Sequence, residues 1–479
     1  MKSKRRDFLK MSGLAGLGLA GGGIMSGCAP GSGNEEEPGT SPEIFSFEKK
    51  HKQLFNMSGF AAPKIPTVRV GIIGLGSRGP SYIDTMSKIE DVDIRALCDL
   101  RPERVEKAKK KLENTDHHPD LYSGTEEEWK KLCERNDIDL VIVTTPWYMH
   151  AEMALYAMEQ GKHVGSEVPI AGTLEECWQL VETAERTQKH CMMMENYAFM
   201  PFQLLTLSMA RQGFFGEVVH GEGAYNTSKM RNNFRKGRYW DMWWLRQYGS
   251  RKGNIYPTHG LGPVAQIFNI NRGDKFEFLI SVESKDFMMG ARARELAATD
   301  SFYEEFAGLE YRGNMNITII KTTQGKTIML QHDATSPSPH NLIHGIYGTK
   351  GSAAFDPPPP KICKGDHQWA PPEEYEKIKE KYTPEIYRKM SELAKHSGHG
   401  GSDLVIHWHL IDCLHNGLPL DQDVYDAAAW SSIVPLTEWS VTNNSFPVKV
   451  PDFTAGAWKT NELNMDIELK RGGNTRVIV

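Results

Sequence analysis

Between residues 68 and 195 the chain repeats one pattern: a short apolar run, then a longer stretch with apolar positions at helical spacing. The apolar runs are 68–73, 93–98, 140–144, 163–165 and 191–195. The helical stretches begin near Pro80 and then cover 102–114, 151–160 and 175–189. Apolar runs separated by helices predict strands buried on both faces of a parallel, doubly wound sheet. Past Gln203 the pattern changes. Longer runs at 218–225, 276–284, 315–322, 327–333 and 345–355, with a turn at Gln324-Gly325, predict strands and hairpins of a mostly antiparallel sheet whose face closes over the first domain's ligand. A late helix is predicted over 399–416, with Leu404, Val405, Trp408, Ile411, Cys413 and Leu414 packing back onto the body. The fold class is therefore α/β. An N-terminal Rossmann, doubly wound parallel sheet spans 64–200, and an α+β second domain with a mostly antiparallel sheet spans 201–479.

The end of the first strand turns this architecture towards chemistry. It breaks into Gly74-x-Gly76-x-x-Gly79 and then into a helix. The first glycine permits the tight turn, the second lets backbone approach a pyrophosphate, and the third lets helix and strand pack closely, with the helix N-terminus facing the phosphates. Asp99 closes the next strand at the spacing where an acid takes the adenosine ribose hydroxyls. An acid there repels a 2′-phosphate and favours NAD over NADP, although Arg101, two residues on, leaves NADP open. The 479 residues carry a formal charge of −5, which fits a soluble multi-domain enzyme and gives no reason to expect nucleic acid as a partner. Of seven cysteines, Cys28 lies near the N-terminus. Cys98, Cys133, Cys177, Cys191, Cys363 and Cys413 are scattered without metal-ligand spacing, so no metal site or disulfide framework is expected.

The N-terminus reads as an export signal over 1–28, followed by a tether and lead-in over 29–63. Arg5-Arg6-Asp7-Phe8-Leu9-Lys10 resembles a twin-arginine signal, and Ser26-Gly27-Cys28 resembles a lipoprotein cleavage box with Cys28 as the lipidated residue. The glycine-rich run after the arginines is too short to span a bilayer. The expected location is periplasmic or membrane-anchored, with the membrane contacted only through the lipid. Free NAD is a cytosolic metabolite. An exported NAD enzyme is therefore expected to hold its cofactor tightly and recycle it in each turnover, oxidising and re-reducing its own substrate.

Several local motifs recur together: Phe55-Asn56-Met57-Ser58-Gly59-Phe60-Ala61-Ala62-Pro63 before the glycine loop, Trp147-Tyr148-Met149-His150, Glu167-Val168-Pro169, Glu195-Asn196-Tyr197, Asn254-Ile255-Tyr256-Pro257-Thr258-His259-Gly260 and His332-Asp333-Ala334-Thr335-Ser336-Pro337. With them the chain resembles the Gfo/Idh/MocA oxidoreductases and, within that family, glycoside hydrolase family 109, whose known activity is α-N-acetylgalactosaminidase. The resemblance implies that Ser77, Arg78, Asp99, Trp147, His150, Glu167, Val168, Asn196 and Tyr256 hold NAD beside Gly74, Gly76 and Gly79. It implies that Tyr225, Arg246, Tyr256, Thr258 and His259 line a sugar site. A homodimer through the second-domain sheet is common in that superfamily.

Two departures matter. Typical dehydrogenases of the superfamily carry Glu-Lys-Pro where this chain has Val168, which cannot move a proton. After Ser336-Pro337-Ser338-Pro339 the family tends to present a tyrosine to the sugar, and this chain has His340. With no lysine at 168, His259 is the candidate base, supported by Tyr256, because a histidine takes and returns a proton near neutral pH. The implied reaction is hydrolysis of terminal N-acetylgalactosaminides or related hexosaminides by oxidation at C3, elimination, water addition and reduction, without net redox. Two alternatives stay open: an exported sugar oxidoreductase and a non-catalytic glycan-binding lipoprotein.

Two further features have plainer readings. Tyr239-Trp240-Asp241-Met242-Trp243-Trp244 offers flat faces for a sugar ring, but at least two of its tryptophans are expected in core or interface. His407 and His409, two apart on a predicted helix, point in different directions and do not share a metal.

Overall fold

A computed structural model describes residues 44–478, apart from 48, 366 and 396. The expected export signal and the expected tether up to Pro42 lie outside the described residues. Strands β1 (Val68–Ile73), β2 (Val92–Cys98), β3 (Asp120–Tyr122), β4 (Leu140–Val143), β5 (His163–Ser166) and β6 (Cys191–Met193) form one sheet in the order β3-β2-β1-β4-β5-β6. Every neighbouring pair in it is parallel. β4 and β5 are buried throughout, which is why their sequence shows no alternation. Helices α1 (Gly79–Met86), α2 (Pro102–Lys110), α3 (Glu128–Cys133), α4 (His150–Glu159) and α5 (Leu174–Thr187) make the connections. The order reverses between β1 and β4, and at such a switch point the C-terminal strand ends part to leave a crevice. The loops after β1, β2, β4, β5 and β6 all emerge on that edge.

The second sheet has eight strands: β7 (Val218–Asn226), β8 (Phe276–Glu283), β9 (Met315–Thr322), β10 (Thr327–Asp333), β11 (His344–Gly348), β12 (Gly351–Ala354), β13 (Lys361–Lys364) and β14 (Val448–Lys449). Its order is β13-β12-β11-β7-β10-β9-β8-β14, antiparallel except for the β7–β10 pair. β9 alternates strictly. Asn316, Thr318, Ile320 and Thr322 are buried, whereas Ile317 and Ile319 face out and are 42% and 41% exposed. After α6 (Pro201–Arg211), the inner face is covered by α7 (Thr258–Ile267) against β7 and by α9 (Val424–Thr442) against β8. α8 (Ser402–Asn416) packs on α1, as the sequence pattern predicted for the late helix.

The structure differs from the pattern-based reading in several places. The helix at 102 ends at Lys110, and the run 345–355 is the hairpin β11–β12. α8 starts at Ser402 because Gly400 and Gly401 take φ of +66° and +102°, which stops a helix from starting earlier. α9 is missing from the sequence reading because apolar residues surround it on all sides, so it has no stripe to detect. Residues 44–63 do not hang free. Phe45 stacks on Trp439 at 4.3 Å, and the Gln53 amide donates to the Tyr425 hydroxyl at 2.7 Å. Among the described residues no helix is long and apolar enough to cross a membrane.

Candidate active site

A cavity of about 550 Å³ opens at the C-terminal edge of the parallel sheet and is walled on its far side by residues from the second half of the chain. The glycine loop forms its floor. Gly74 has φ +94°, and a Cβ there would lie 2.8 Å from the backbone of Thr144. A Cβ on Gly79 would lie 2.1 Å from the Gly74 carbonyl oxygen, so strand, turn and α1 meet only without side chains. Asp99 Oδ2 accepts from the Leu75 amide at 2.7 Å and Oδ1 from the Arg101 amide at 3.0 Å, which fixes the carboxylate at the end of β2. Burial raises its pKa despite those amides.

Gly74, Gly76, Ser77, Arg78, Asp99, Trp147, His150, Glu167, Val168, Asn196 and Tyr256 all line the cavity. Several are already tied together. Arg78 bonds Glu167 at 2.7 Å and Asp403 at 3.0 Å, and the Tyr82 hydroxyl donates to Glu167 at 3.0 Å. Burial opposes the charge on Glu167, but Arg78 outweighs it and holds the carboxyl below its ordinary range. The Asn196 amide donates to Asp403 at 2.7 Å. His150 turns both ring nitrogens towards carbonyl oxygens, those of Pro169 at 2.8 Å and Thr145 at 2.7 Å, and burial lowers its pKa. A neutral ring has one N–H, so it donates to one of these two carbonyls. Gly79 lies just behind the lining.

His259 and Tyr225 form the opposite wall. His259 sits in the first turn of α7, and its Nδ1 lies 2.7 and 3.0 Å from the two carboxylate oxygens of Glu195. Its ring is edged by Tyr197 at 4.1 Å, Tyr256 at 4.8 Å and Tyr225 at 5.3 Å. Burial pushes the phenols of Tyr256 and Tyr225 well above their ordinary pKa, which keeps both protonated at neutral pH. Trp147 stacks on Tyr256 at 5.0 Å.

Three residues expected at the sugar lie off the cavity wall. Arg246 is bonded to Glu305 and to the Asp241 side chain and carbonyl. Thr258 is buried, with its hydroxyl unpartnered. His340 bonds the Thr227 hydroxyl beside Tyr225.

The two halves of this architecture match known families separately. Residues 68–195 match the oxidoreductase family with an NAD-binding Rossmann fold, and residues 200–460 match the glycosyl hydrolase 109 C-terminal domain. A glycosyl hydrolase family 109 protein of Shewanella pealeana is 41% identical over 472 residues, covering 96% of this chain and 98% of that protein. The chain belongs to glycosyl hydrolase family 109. An α-N-acetylgalactosaminidase of Bacteroides fragilis is 44% identical over 418 residues, covering 86% of this chain and 97% of that one. Among solved structures, a levoglucosan dehydrogenase in complex with NADH superposes with a TM-score of 0.61 at 18% identity, covering 81% of this chain and 100% of that one. At that identity the likeness concerns the fold alone.

In this family 109 chain the structure also brings forward residues that the sequence reading passed over. His399 lines the cavity from the glycine-rich loop before α8, with Nδ1 at 3.0 Å from Asp403. Burial opposes the charge on Asp403, but His399 and Arg78 hold its carboxyl well below the usual range. The His-Gly-Gly run was a visible signal, absorbed into a predicted helix. Lys229 also reaches the cavity, over the rings of Tyr225 at 5.5 Å and Trp244 at 5.8 Å. Trp240, Trp243 and Trp244 all line it; Trp244 is buried in a small core cluster and Trp243 packs against that cluster, as expected for two of the three, whereas Trp240 is exposed. His407 meets the Thr85 hydroxyl at 2.6 Å and His409 meets Asp421 at 2.5 Å, so the two histidines do point apart. Cys413 lies near the His409–Asp421 pair, but a contact of 2.5 Å is a hydrogen bond, too close for two ligands of one ion. The six described cysteines are buried.

Proposed function

We propose that this protein is an NAD-dependent glycosidase that hydrolyses terminal N-acetylgalactosaminides, or related hexosaminides, without net redox change. The observation that carries the reading is a single cavity with a nucleotide cradle on one wall and a carboxylate-bound histidine on the other. The cradle fits NAD: the positions facing the phosphates lack side chains, and the Asp99 carboxylate is fixed at the ribose end. Bound NAD would supply the hydride acceptor at C3 of the sugar and, at the end of the cycle, the donor that returns it.

The protein's own groups handle protons and placement. His259 takes the C3 hydroxyl proton as the hydride leaves. The resulting ketone acidifies C2. His399, which lines the cavity, takes the C2 proton as the anomeric oxygen is expelled and hands that proton to the departing oxygen. Water then adds across C1 and C2, and His259 returns its proton to O3 as C3 is reduced. Val168, where related dehydrogenases carry lysine, is consistent with this division of labour. Ordinary glycosidases need two carboxyl groups flanking the bond. The acids lining this cavity are Asp99, Glu126 and Glu167. Asp99 is held by backbone amides and Glu167 by Arg78, which leaves no such pair.

Three further readings belong to the proposal. The cofactor stays bound and is recycled in each turnover. The chain is exported through Arg5-Arg6 and anchored through Cys28. The exposed apolar face at Val219, Val282, Ile317 and Ile319 pairs two copies. The test of function is release of nitrophenol from nitrophenyl α-N-acetylgalactosaminide by purified protein with no NAD added, alongside a nucleotide assay of the denatured supernatant. Turnover with stoichiometric NAD is the expected result. Bound NAD with net oxidation of sugar, or no turnover on any hexosaminide, would overturn it.

A further inference from the structure

We infer that Glu195 is a positioning residue for the reaction, fixing the tautomer of His259 so that Nε2 is the nitrogen that works on the sugar. The inference rests on the reading of His259 as base. Glu195 follows β6 and has no solvent exposure. Its peptide is clamped by one side chain: the Glu195 amide donates to Gln422 Oε1 at 3.3 Å, and the Gln422 amide donates back to the Glu195 carbonyl at 3.2 Å. Its carboxylate accepts from the Tyr197 amide at 3.0 Å and faces His259 Nδ1 at 2.7 and 3.0 Å. Space for it comes from Gly262, one turn along α7, where a Cβ would lie 2.8 Å from Glu195 Cγ.

An ionised carboxylate only accepts hydrogen bonds, so Nδ1 must carry the hydrogen, and the lone pair of a neutral ring is then on Nε2. Among the described residues the sole ion-pair partner of Glu195 is His259. The rings around His259 are the phenols of Tyr197, Tyr225 and Tyr256, all kept neutral by burial, and the charge of His259 is felt at His340. When Nε2 takes the hydroxyl proton, the new positive charge therefore faces a buried negative one. The same carboxylate holds the ring in place until the proton returns to oxygen. A purely structural role, ending β6 by accepting the Tyr197 amide, needs neither the charge nor the histidine.

The test uses the NAD-loaded protein carrying Glu195→Gln. An amide keeps the shape but can donate to Nδ1, which moves the hydrogen to Nε2. The expected result is a fall in kcat of about 10²–10⁴-fold, with KM within a few-fold, bound NAD and Tm near wild type, and a displaced acid limb in the kcat/KM profile. Glu195→Asp should recover at least about ten-fold over Glu195→Gln, because it restores an acceptor-only group. Wild-type rates in Glu195→Gln, or equal losses in both variants with a lowered Tm, would overturn the inference. Reduction of the bound cofactor on mixing with N-acetylgalactosamine, followed by absorbance, reads the first proton transfer alone. If wild type shows that reduction but no glycoside cleavage, the glycosidase reading fails while the Glu195 comparison still decides its own question.

Discussion

The cavity has two walls of different construction. The nucleotide wall is stiff: Gly74 and Gly79 meet neighbouring backbone, and Arg78 is paired with both Glu167 and Asp403. The sugar wall is built of rings. Tyr197, Tyr225 and Tyr256 surround one histidine, Trp147 stacks on Tyr256, and Lys229 stands over two rings with no carboxylate beside it among the described residues. The difference shows where each kind of work is done. A cofactor that stays in place needs a cradle with little to rearrange, whereas a sugar that enters and leaves needs flat apolar faces and a proton carrier.

The sharpest way to break this division is His259→Ala. Hydrolysis should fall by about 10²–10⁴-fold while NAD remains bound, read by nitrophenol release and nucleotide content. Loss of NAD would show that the walls are not separate. Gly79→Ala should act on the other wall. Its Cβ meets backbone, which cannot give way, so cofactor binding is lost and stability falls by about 1–3 kcal/mol. Gly76→Ala is the matched control. Its neighbour is the mobile end of Arg104, so Tm should hold while NAD affinity drops.

Acid unfolding compares the two sheets that carry the walls. Burial holds His163, in the first sheet, at about 4 and His344, in the second, at about 3. Below about pH 6.5 the unfolded chain binds protons that the folded protein refuses, so stability is level above that pH and falls as pH drops towards 4. Each histidine adds up to about 1.4 kcal/mol per pH unit over that window. His344→Gln should flatten the slope, as measured by urea unfolding at several pH values. The smallest effect is expected from Arg246→Gln. Its pairs with Glu305 and Asp241 are solvent-exposed and worth about 0–1 kcal/mol. If KM for the sugar nevertheless rises ten-fold, Arg246 leaves those partners to meet substrate.

The cradle was the more legible wall. Gly74-x-Gly76-x-x-Gly79 and Asp99 are local signals, since each acts within its own strand-turn-helix unit. The sugar wall was legible only through motifs of a family. His399 was hidden because its loop reads as the start of a helix, and Gly400 and Gly401 reveal otherwise only through their dihedrals. Glu195 was visible as part of a motif but not as a partner of His259, because 64 residues separate the two.

By itself, then, the sequence determined what depends on near neighbours: the parallel sheet, the glycine turn, the acid after β2 and a late helix ending at Asn416. Tertiary structure alone decided the rest. It placed Asp403 on Arg78, Glu195 behind His259 and Gln422 around Glu195, and it buried α9, whose apolar residues form no single stripe, inside the body. The physical reason is that hydrogen bonds and buried charges are satisfied in space, by whatever part of the chain arrives there, whereas turns and strand periodicity are set by the residues that form them.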